Sequence, residues 1–203
     1  MYKKPIIVFE GIEGSGKTFH INNVAHYLKK KKLKFIRIRE PGGSKKSEVI
    51  RNIILNNKST FNKNTDLLLY LSARSENIEL IKKNLGKKII LIDRFTDSTL
   101  AYQHYGMGVN IKFIKLINNF LLKNINVTFT FLNLVNKKNM KLRLKRRKKL
   151  NRYDKFDNVF YEKVQNGFIK ILKQNPKKYM KINSNLNIKD NKEIILDKII
   201  RLL

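Results

Sequence analysis

The 203-residue chain has no cysteine, which excludes disulfides and every cysteine-ligated metal site. It has only three histidines; His20, His26 and His104 read as surface or helix positions rather than catalytic ones. No stretch approaches the roughly 18 consecutive apolar residues of a membrane helix. Lys3 and Lys4 precede an apolar run too short for the core of a secretion signal. The expectation is a soluble, cytoplasmic protein with no membrane partner. Acids are also scarce: 15 Asp and Glu stand against 45 Lys and Arg, a formal net charge of +30. Such an excess is the usual footprint of nucleic-acid binding. Here, however, the lysines are scattered through every segment beside asparagine and isoleucine, and no single stripe gathers them. Drift toward a Lys/Asn/Ile-rich solvated surface produces the same total, so nucleic acid is not the expected partner. The field still draws in polyanionic nucleotides. No repeat, linker or low-complexity segment divides the chain, and its length suffices for one core, so residues 1–203 read as one domain.

What is present is organised around Pro5 to Tyr27. The apolar run Ile6-Ile7-Val8-Phe9 leads into Glu10-Gly11-Ile12-Glu13-Gly14-Ser15-Gly16-Lys17-Thr18, followed by a helical pattern through Ile21, Val24, Ala25 and Leu28. Gly11, Gly16, Lys17 and Thr18 satisfy G-x-x-x-x-G-K-[ST], the phosphate-binding loop, in its required strand-to-helix context. Glycines let backbone N–H groups wrap phosphates, and the lysine sets a cation on the outer ones. The threonine hydroxyl suits Mg²⁺, and the helix N-terminus adds its positive dipole end. Residues 11–18 are therefore the expected nucleoside triphosphate site.

Downstream, strand and helix patterns alternate. Leu33–Arg39 reads as a strand ending in the turn Arg39-Glu40-Pro41-Gly42-Gly43. Ser44 is an expected N-cap for a helix through Val49, Ile50, Ile53, Ile54 and Leu55. A long helix starts at Thr65 or Asp66 and closes near Gly86. The continuous apolar run Ile89–Ile92 reads as a strand buried on both faces, with Asp93-Arg94-Phe95 at its carboxyl end. Helix 111–122, strand 127–134, a very basic helix 137–149, helix 157–172, strand 179–182 and an amphipathic helix 188–203 complete the chain. This alternation implies an α/β fold with a parallel sheet covered on both faces. In such sheets ligands sit outside the carboxyl ends of the strands, where segments 10–18, 39–43 and 93–95 all fall.

A phosphate loop alone does not separate kinases from GTPases or motors. No Asn-Lys-x-Asp segment reads guanine, and the chain is short for a motor. The loop together with Arg39-Glu40-Pro41-Gly42-Gly43, Asp93-Arg94-Phe95 and Ser98-Thr99-Leu100-Ala101-Tyr102-Gln103 resembles bacterial thymidylate kinases over nearly the whole length. The resemblance implies a three-layer α/β/α P-loop fold with a five-stranded parallel sheet and a basic helical lid at about 137–153. It further implies transfer of the ATP γ-phosphoryl group to dTMP, a Mg²⁺ requirement and a homodimer.

The implied chemistry suits the residues. A phosphate oxygen of the acceptor is largely ionised near neutrality, its second pKa being about 6, so no general base is needed and catalysis is positioning plus charge neutralisation. Lys17 and Arg94 are the expected catalytic cations, Arg94 bridging donor and acceptor phosphates with forked donors; a plain Asp93–Arg94 surface pair is the alternative. Asp93 is placed where it orients Arg94 or a metal-bound water, and Thr18 on the metal. By resemblance Glu13 faces the deoxyribose 3′-hydroxyl and the metal's surroundings, against a simpler reading as a solvent-facing loop acid. Arg39 and Arg51 fall near the dTMP phosphate, and Arg74 near the base. Ser98, Thr99 and Gln103 supply polar contacts to the thymine edge. Tyr70 takes the place of a stacking phenylalanine, unless it is part of a core stripe with Leu67 and Leu71, and Tyr102 crowds the ribose 2′ position. With Gly14 in the loop, the catalytic arginine is expected from the lid, among Arg143, Arg147 and Arg152; a nucleic-acid-binding or merely solvated basic helix is the competing reading.

The chain departs from the family pattern at Asn151-Arg152, where Asp-Arg is usual, implying loss of an ion pair that orients the arginine. Phe19 also replaces a second hydroxyl after Thr18. Two other functions remain open: a different nucleoside monophosphate or deoxynucleoside kinase on this fold, and a basic nucleic-acid-binding protein switched by ATP.

Overall fold

The computed structural model describes residues 4–148 and 150–203; Lys3, and Lys149 of the expected basic helix, lie outside the described residues. Five parallel strands form one sheet: β1 (Ile6–Glu10), β2 (Phe35–Arg39), β3 (Ile89–Asp93), β4 (Phe129–Leu134) and β5 (Tyr179–Asn183), in the order β2-β3-β1-β4-β5. β1 is central, with Ile7 opposite Leu91 on one side and Phe129 on the other.

Side chains alternate across a strand, and the core divides accordingly. Ile7, Phe9, Leu91 and Phe131 face one side, against Ile21, Val24 and Leu28 of α1 (Lys17–Lys30) and Ile195 and Ile199 of α8 (Ile188–Leu202). Ile6, Val8, Ile90 and Ile92 face the other, against Ile78 and Ile81 of α3 (Lys63–Asn84). These are the three expected layers. α2 (Lys45–Leu55) starts on the expected cap, with Ser44 Oγ accepting from the Ser47 N–H.

Element limits differ from expectation for local reasons. β2 starts at Phe35 because the Leu33 N–H turns back onto the Leu28 carbonyl. α3 begins at Lys63, since the Asn62 side chain accepts from the Asn64 and Thr65 N–H groups. The basic helix α6 (Lys137–Lys145) ends four residues before the expected Lys149, and a short 3₁₀ turn (Arg152–Lys155) leads into α7 (Asn158–Gln174). Between β3 and α5 (Ile111–Leu122) the structure adds α4 (Thr96–Thr99), continued by a π-helical segment, Leu100–Gly106. That segment packs tightly on α7: a Cβ at Gly167 would lie 2.6 Å from the Tyr105 ring.

Candidate active site

The β1–α1 loop is bent into a cradle. Gly11 has φ 137°, and a Cβ there would come within 2.2 Å of the Asn133 carbonyl oxygen, so only glycine fits. Gly14 and Gly16 also take positive φ. Lys17 Nζ donates to the carbonyls of Gly11 and Ile12, each at 2.8 Å, and to Ser15 Oγ at 3.2 Å. Burial, with the neighbouring Arg94 guanidinium, pushes the Lys17 ammonium down to about 7. Thr18 Oγ1 donates to Asp93 Oδ2 at 3.3 Å across the loop mouth.

Arg94 leaves β3 with φ 66°, a left-handed conformation rare outside glycine and concentrated at functional sites. What over-determines it is Glu10, the last residue of β1. Its carboxylate accepts from the Phe95 N–H at 2.7 Å, the Ser98 N–H at 3.2 Å and the Ser98 hydroxyl at 2.6 Å. The Arg94 guanidinium, so aimed, donates to Glu13 Oε1 and the Gly11 carbonyl, each at 2.8 Å. Tyr102 donates its hydroxyl to the other Glu13 oxygen. Burial pushes the Glu13 carboxyl up, but Arg94 and Lys17 hold it below its ordinary value. Glu13 is thus a paired, buried acid rather than a solvent-facing one.

Beside this cluster opens a cleft lined by residues of the β1–α1 loop, β2, β3, α1, α2, α3 and the segment 147–153. Of the residues expected to act, it brings together Glu13, Lys17, Thr18, Arg39, Arg51, Tyr70, Asp93, Arg94, Ser98, Tyr102, Gln103 and Arg147. Arg39 forks onto Glu48 at 3.0 and 2.8 Å, and Arg51 donates to the Pro41 carbonyl. Tyr70 lies edge-to-face on Tyr153 of the 3₁₀ turn, centroids 5.8 Å apart.

Arg74 and Thr99 are placed differently from expectation. Arg74 is 1 % exposed, and its three nitrogens donate to Glu40 Oε2 at 2.8 Å, Asn118 Oδ1 at 2.7 Å and Thr99 Oγ1 at 2.9 Å. The guanidinium also lies over the Phe95 ring. It is a strut behind the cleft wall, and Thr99 is one of its supports. Neither is among the residues that line the cleft.

The three arginines expected in the lid do not converge. Arg143 reaches back from α6 to the carbonyls of Gly14 at 2.9 Å and Ser184 at 2.6 Å, bracing the phosphate loop. Arg147 stands at the cleft, paired with Asp154. Arg152 pairs with Asp66 of α3. The implied loss of an orienting acid at Asn151 is therefore overturned: Asn151 instead caps the 3₁₀ turn with Asp154, and Asp66 orients Arg152 from 86 residues away. None of the three histidines lines the cleft; His20 is buried on α1, and burial pushes its imidazole down to about 4. Sequence reasoning missed Glu10, Glu40, Asp66 and Tyr153, which act through contacts distant in sequence, and Asp154, whose partners Arg147 and Asn151 are local. The one local signal was the acid placed directly at the end of a buried strand, Glu10.

A parallel sheet with a phosphate cradle on its central strand, and a second cation-rich cleft beyond the neighbouring strand tip, defines a P-loop phosphotransferase with adjoining donor and acceptor sites. The family model described as thymidylate kinase matches residues 9–195. A thymidylate kinase of Acholeplasma laidlawii is 36% identical over 200 residues, covering 97% of this chain and 99% of its own. One of Thermosipho africanus is 40% identical over 169 residues, 82% of this chain and 84% of its own. A crystal structure of thymidylate kinase from Ehrlichia chaffeensis matches with a TM-score of 0.78 at 29% identity, covering 97% of this chain and 98% of that one. The chain belongs to the thymidylate kinase family.

Proposed function

We propose that this chain transfers the γ-phosphoryl group of ATP to dTMP, giving dTDP and ADP, with residues 1–203 acting as one unit and 137–153 as its lid. The observation that carries the reading is Arg94, held between the phosphate loop and the cleft and bonded to Gly11 and Glu13. ATP lies along residues 11–18, its outer phosphates drawing Lys17 away from the loop carbonyls. dTMP occupies the cleft, with its phosphate toward Arg39 and Arg51 and its base against Tyr70 and Gln103. The Tyr102 ring, fixed by its bond to Glu13, stands at the sugar and crowds a 2′-hydroxyl. Arg94 spans the gap and neutralises the charge that spreads over the transferring group. Arg147 is the lid cation positioned to join it; Arg143 and Arg152 brace the loop and the lid arm.

Thr18 and Asp93 are the residues that would hold Mg²⁺. Their oxygens lie 3.3 Å apart at the loop mouth, and no group of three acidic, histidine or cysteine side chains surrounds them among the described residues. That sparse, hard-oxygen set fits a cation that takes its remaining ligands from phosphates and water. When bound, the metal supplies charge neutralisation on the β- and γ-phosphates. A homodimer is supported by Phe113, Leu116 and Phe120, large apolar side chains exposed at helical spacing on α5; exposed apolar surface of this kind marks protein–protein contacts. A cytoplasmic location goes with this reading, and no described helix is long and apolar enough to cross a membrane.

The test is product analysis with ATP and Mg²⁺, offering dTMP, dUMP, UMP, CMP, AMP and GMP separately. Conversion of dTMP well above the others is expected. Equal conversion, or none, would sink the acceptor assignment.

A further inference from the structure

Asp66 is buried on α3 and collects donors from two other parts of the chain. Oδ1 accepts from Arg152 Nη2; Oδ2 accepts from the Tyr153 hydroxyl and, at 3.2 Å, from Gln103 Nε2. A carboxylate paired with a guanidinium accepts hydrogen bonds and does not donate them, so it dictates which end of the Gln103 amide faces it. The Tyr153 oxygen, whose proton points to Asp66, accepts from the same Nε2 at 3.4 Å. The other end of the amide, Oε1, is buried with no partner among the described residues, and Gln103 forms part of the cleft wall. An unpaired buried acceptor is costly, and a ligand that brings an N–H to it removes that cost.

We infer that Asp66 is the positioning residue that fixes Gln103 as an acceptor toward the base of the bound nucleotide, and thereby selects an imide base over an aminopyrimidine. The inference rests on the dTMP reading above. Thymine and uracil carry an N–H between two carbonyls. Cytosine has a bare ring nitrogen at that position. Oε1 accepts from the imide N–H but meets the cytosine nitrogen lone pair against lone pair. The reversed amide would favour cytosine, and Asp66 opposes reversal because Oε1 would then face a carboxylate. Rejection of this kind, by an unmatched buried polar group, is stronger than rejection by shape alone. Arg152 and Tyr153 belong to the lid arm, so the carboxylate that sets the amide also holds the arm in place.

The experiment measures kcat/KM with dTMP, dUMP and dCMP for the wild type, Asp66→Asn and Asp66→Glu. The asparagine amide is nearly isosteric and can turn either end toward Gln103. The expected result is a fall of about tenfold or more in the dTMP:dCMP ratio. The dTMP:dUMP ratio should hold, because both bases are imides, and Asp66→Glu should keep most of the wild-type preference. A merely structural role would depress all three acceptors together. Should the asparagine variant not fold, Asp66→Ser, whose hydroxyl both donates and accepts, carries the same expectation. An unchanged dTMP:dCMP ratio in a folded variant, or a loss shared equally with dUMP, overturns the inference and leaves the kinase reading intact. A wild type that phosphorylates none of the three overturns the kinase reading and the inference with it.

Discussion

Replacing Arg74 with methionine tests whether the cleft wall is supported as the structure describes. The guanidinium is almost wholly buried and pairs with Glu40, itself 4 % exposed. Arg74→Met leaves that carboxylate buried without its cation and frees Asn118 and Thr99 as well. Removing one partner of a buried pair costs about 3–5 kcal/mol. For a chain of this size each kcal/mol lowers Tm by roughly 2–4 °C, so a fall of about 6–20 °C is expected. Thermal unfolding followed by circular dichroism reads it directly. The deficit should also depend on pH with a definite sign. Burial already pushes the Glu40 carboxyl above its ordinary value, and Arg74 pulls it back only in part. Without Arg74 the folded-state pKa rises further, so the variant gains stability as the carboxyl protonates and loses it as pH climbs. The gap to wild type should therefore be narrower near about pH 5 than near about pH 8. The double variant Arg74→Met/Glu40→Leu should recover much of the loss, since apolar replacements of buried pairs are often neutral. A single variant melting within about 2 °C of wild type at neutral pH would refute the strut role.

Three other outcomes follow from the same geometry. Arg94→Ala should lower kcat by about a thousandfold or more while leaving the fold intact by circular dichroism, as for other cations on a transferring phosphoryl group; a retained rate would remove Arg94 from the chemistry. Burial pushes the Lys17 ammonium down to about 7, and ATP phosphates beside it would raise that value, so nucleotide binding at about pH 8 should take up about one proton. Calorimetry in buffers of different ionisation enthalpy would detect it, and buffer-independent heats would contradict the loop geometry. Burial, with the nearby Asp97 carboxylate, pushes Glu10 from its ordinary 4.5 up to about 7. A raised folded-state pKa contributes stability that is full below the unfolded value and lost as pH rises through the folded one. Unfolding free energy should decline across that window, and Glu10→Gln should flatten the decline; an identical slope in both proteins would count against the Glu10 assignment.

The sheet was legible because β1 and β3 are continuous apolar runs, and β2, β4 and β5 are short apolar-rich segments set between helical patterns. The phosphate loop was legible because its spacing is fixed by the anion it wraps. The segment 96–106 was not, because it has no apolar stripe: Ser98, Thr99 and Gln103 are all buried there, supported by partners on β1 and α3 that no local window includes. The partner of Arg74 was hidden for the same reason, its acid lying 34 residues upstream. The acid that orients Arg152 is likewise visible only in three dimensions, since the substitution at Asn151 removes the local candidate and Asp66 stands on a different helix.

Among the described residues, each basic side chain that lines the cleft has an internal partner. Lys17 holds loop carbonyls, Arg39 holds Glu48, Arg51 the Pro41 carbonyl, Arg94 Glu13, and Arg147 Asp154. A ligand must therefore exchange bonds rather than simply gain them, and an anion that engages one cation at a time competes poorly with an acceptor tethered beside it. Two phosphorylated nucleotides that engage several cations together win by the chelate advantage of linked contacts. Despite its +30 surface, the protein should be nearly indifferent to chloride and free phosphate in its cleft, and reserve that interior charge for ligands long enough to reach several partners at once.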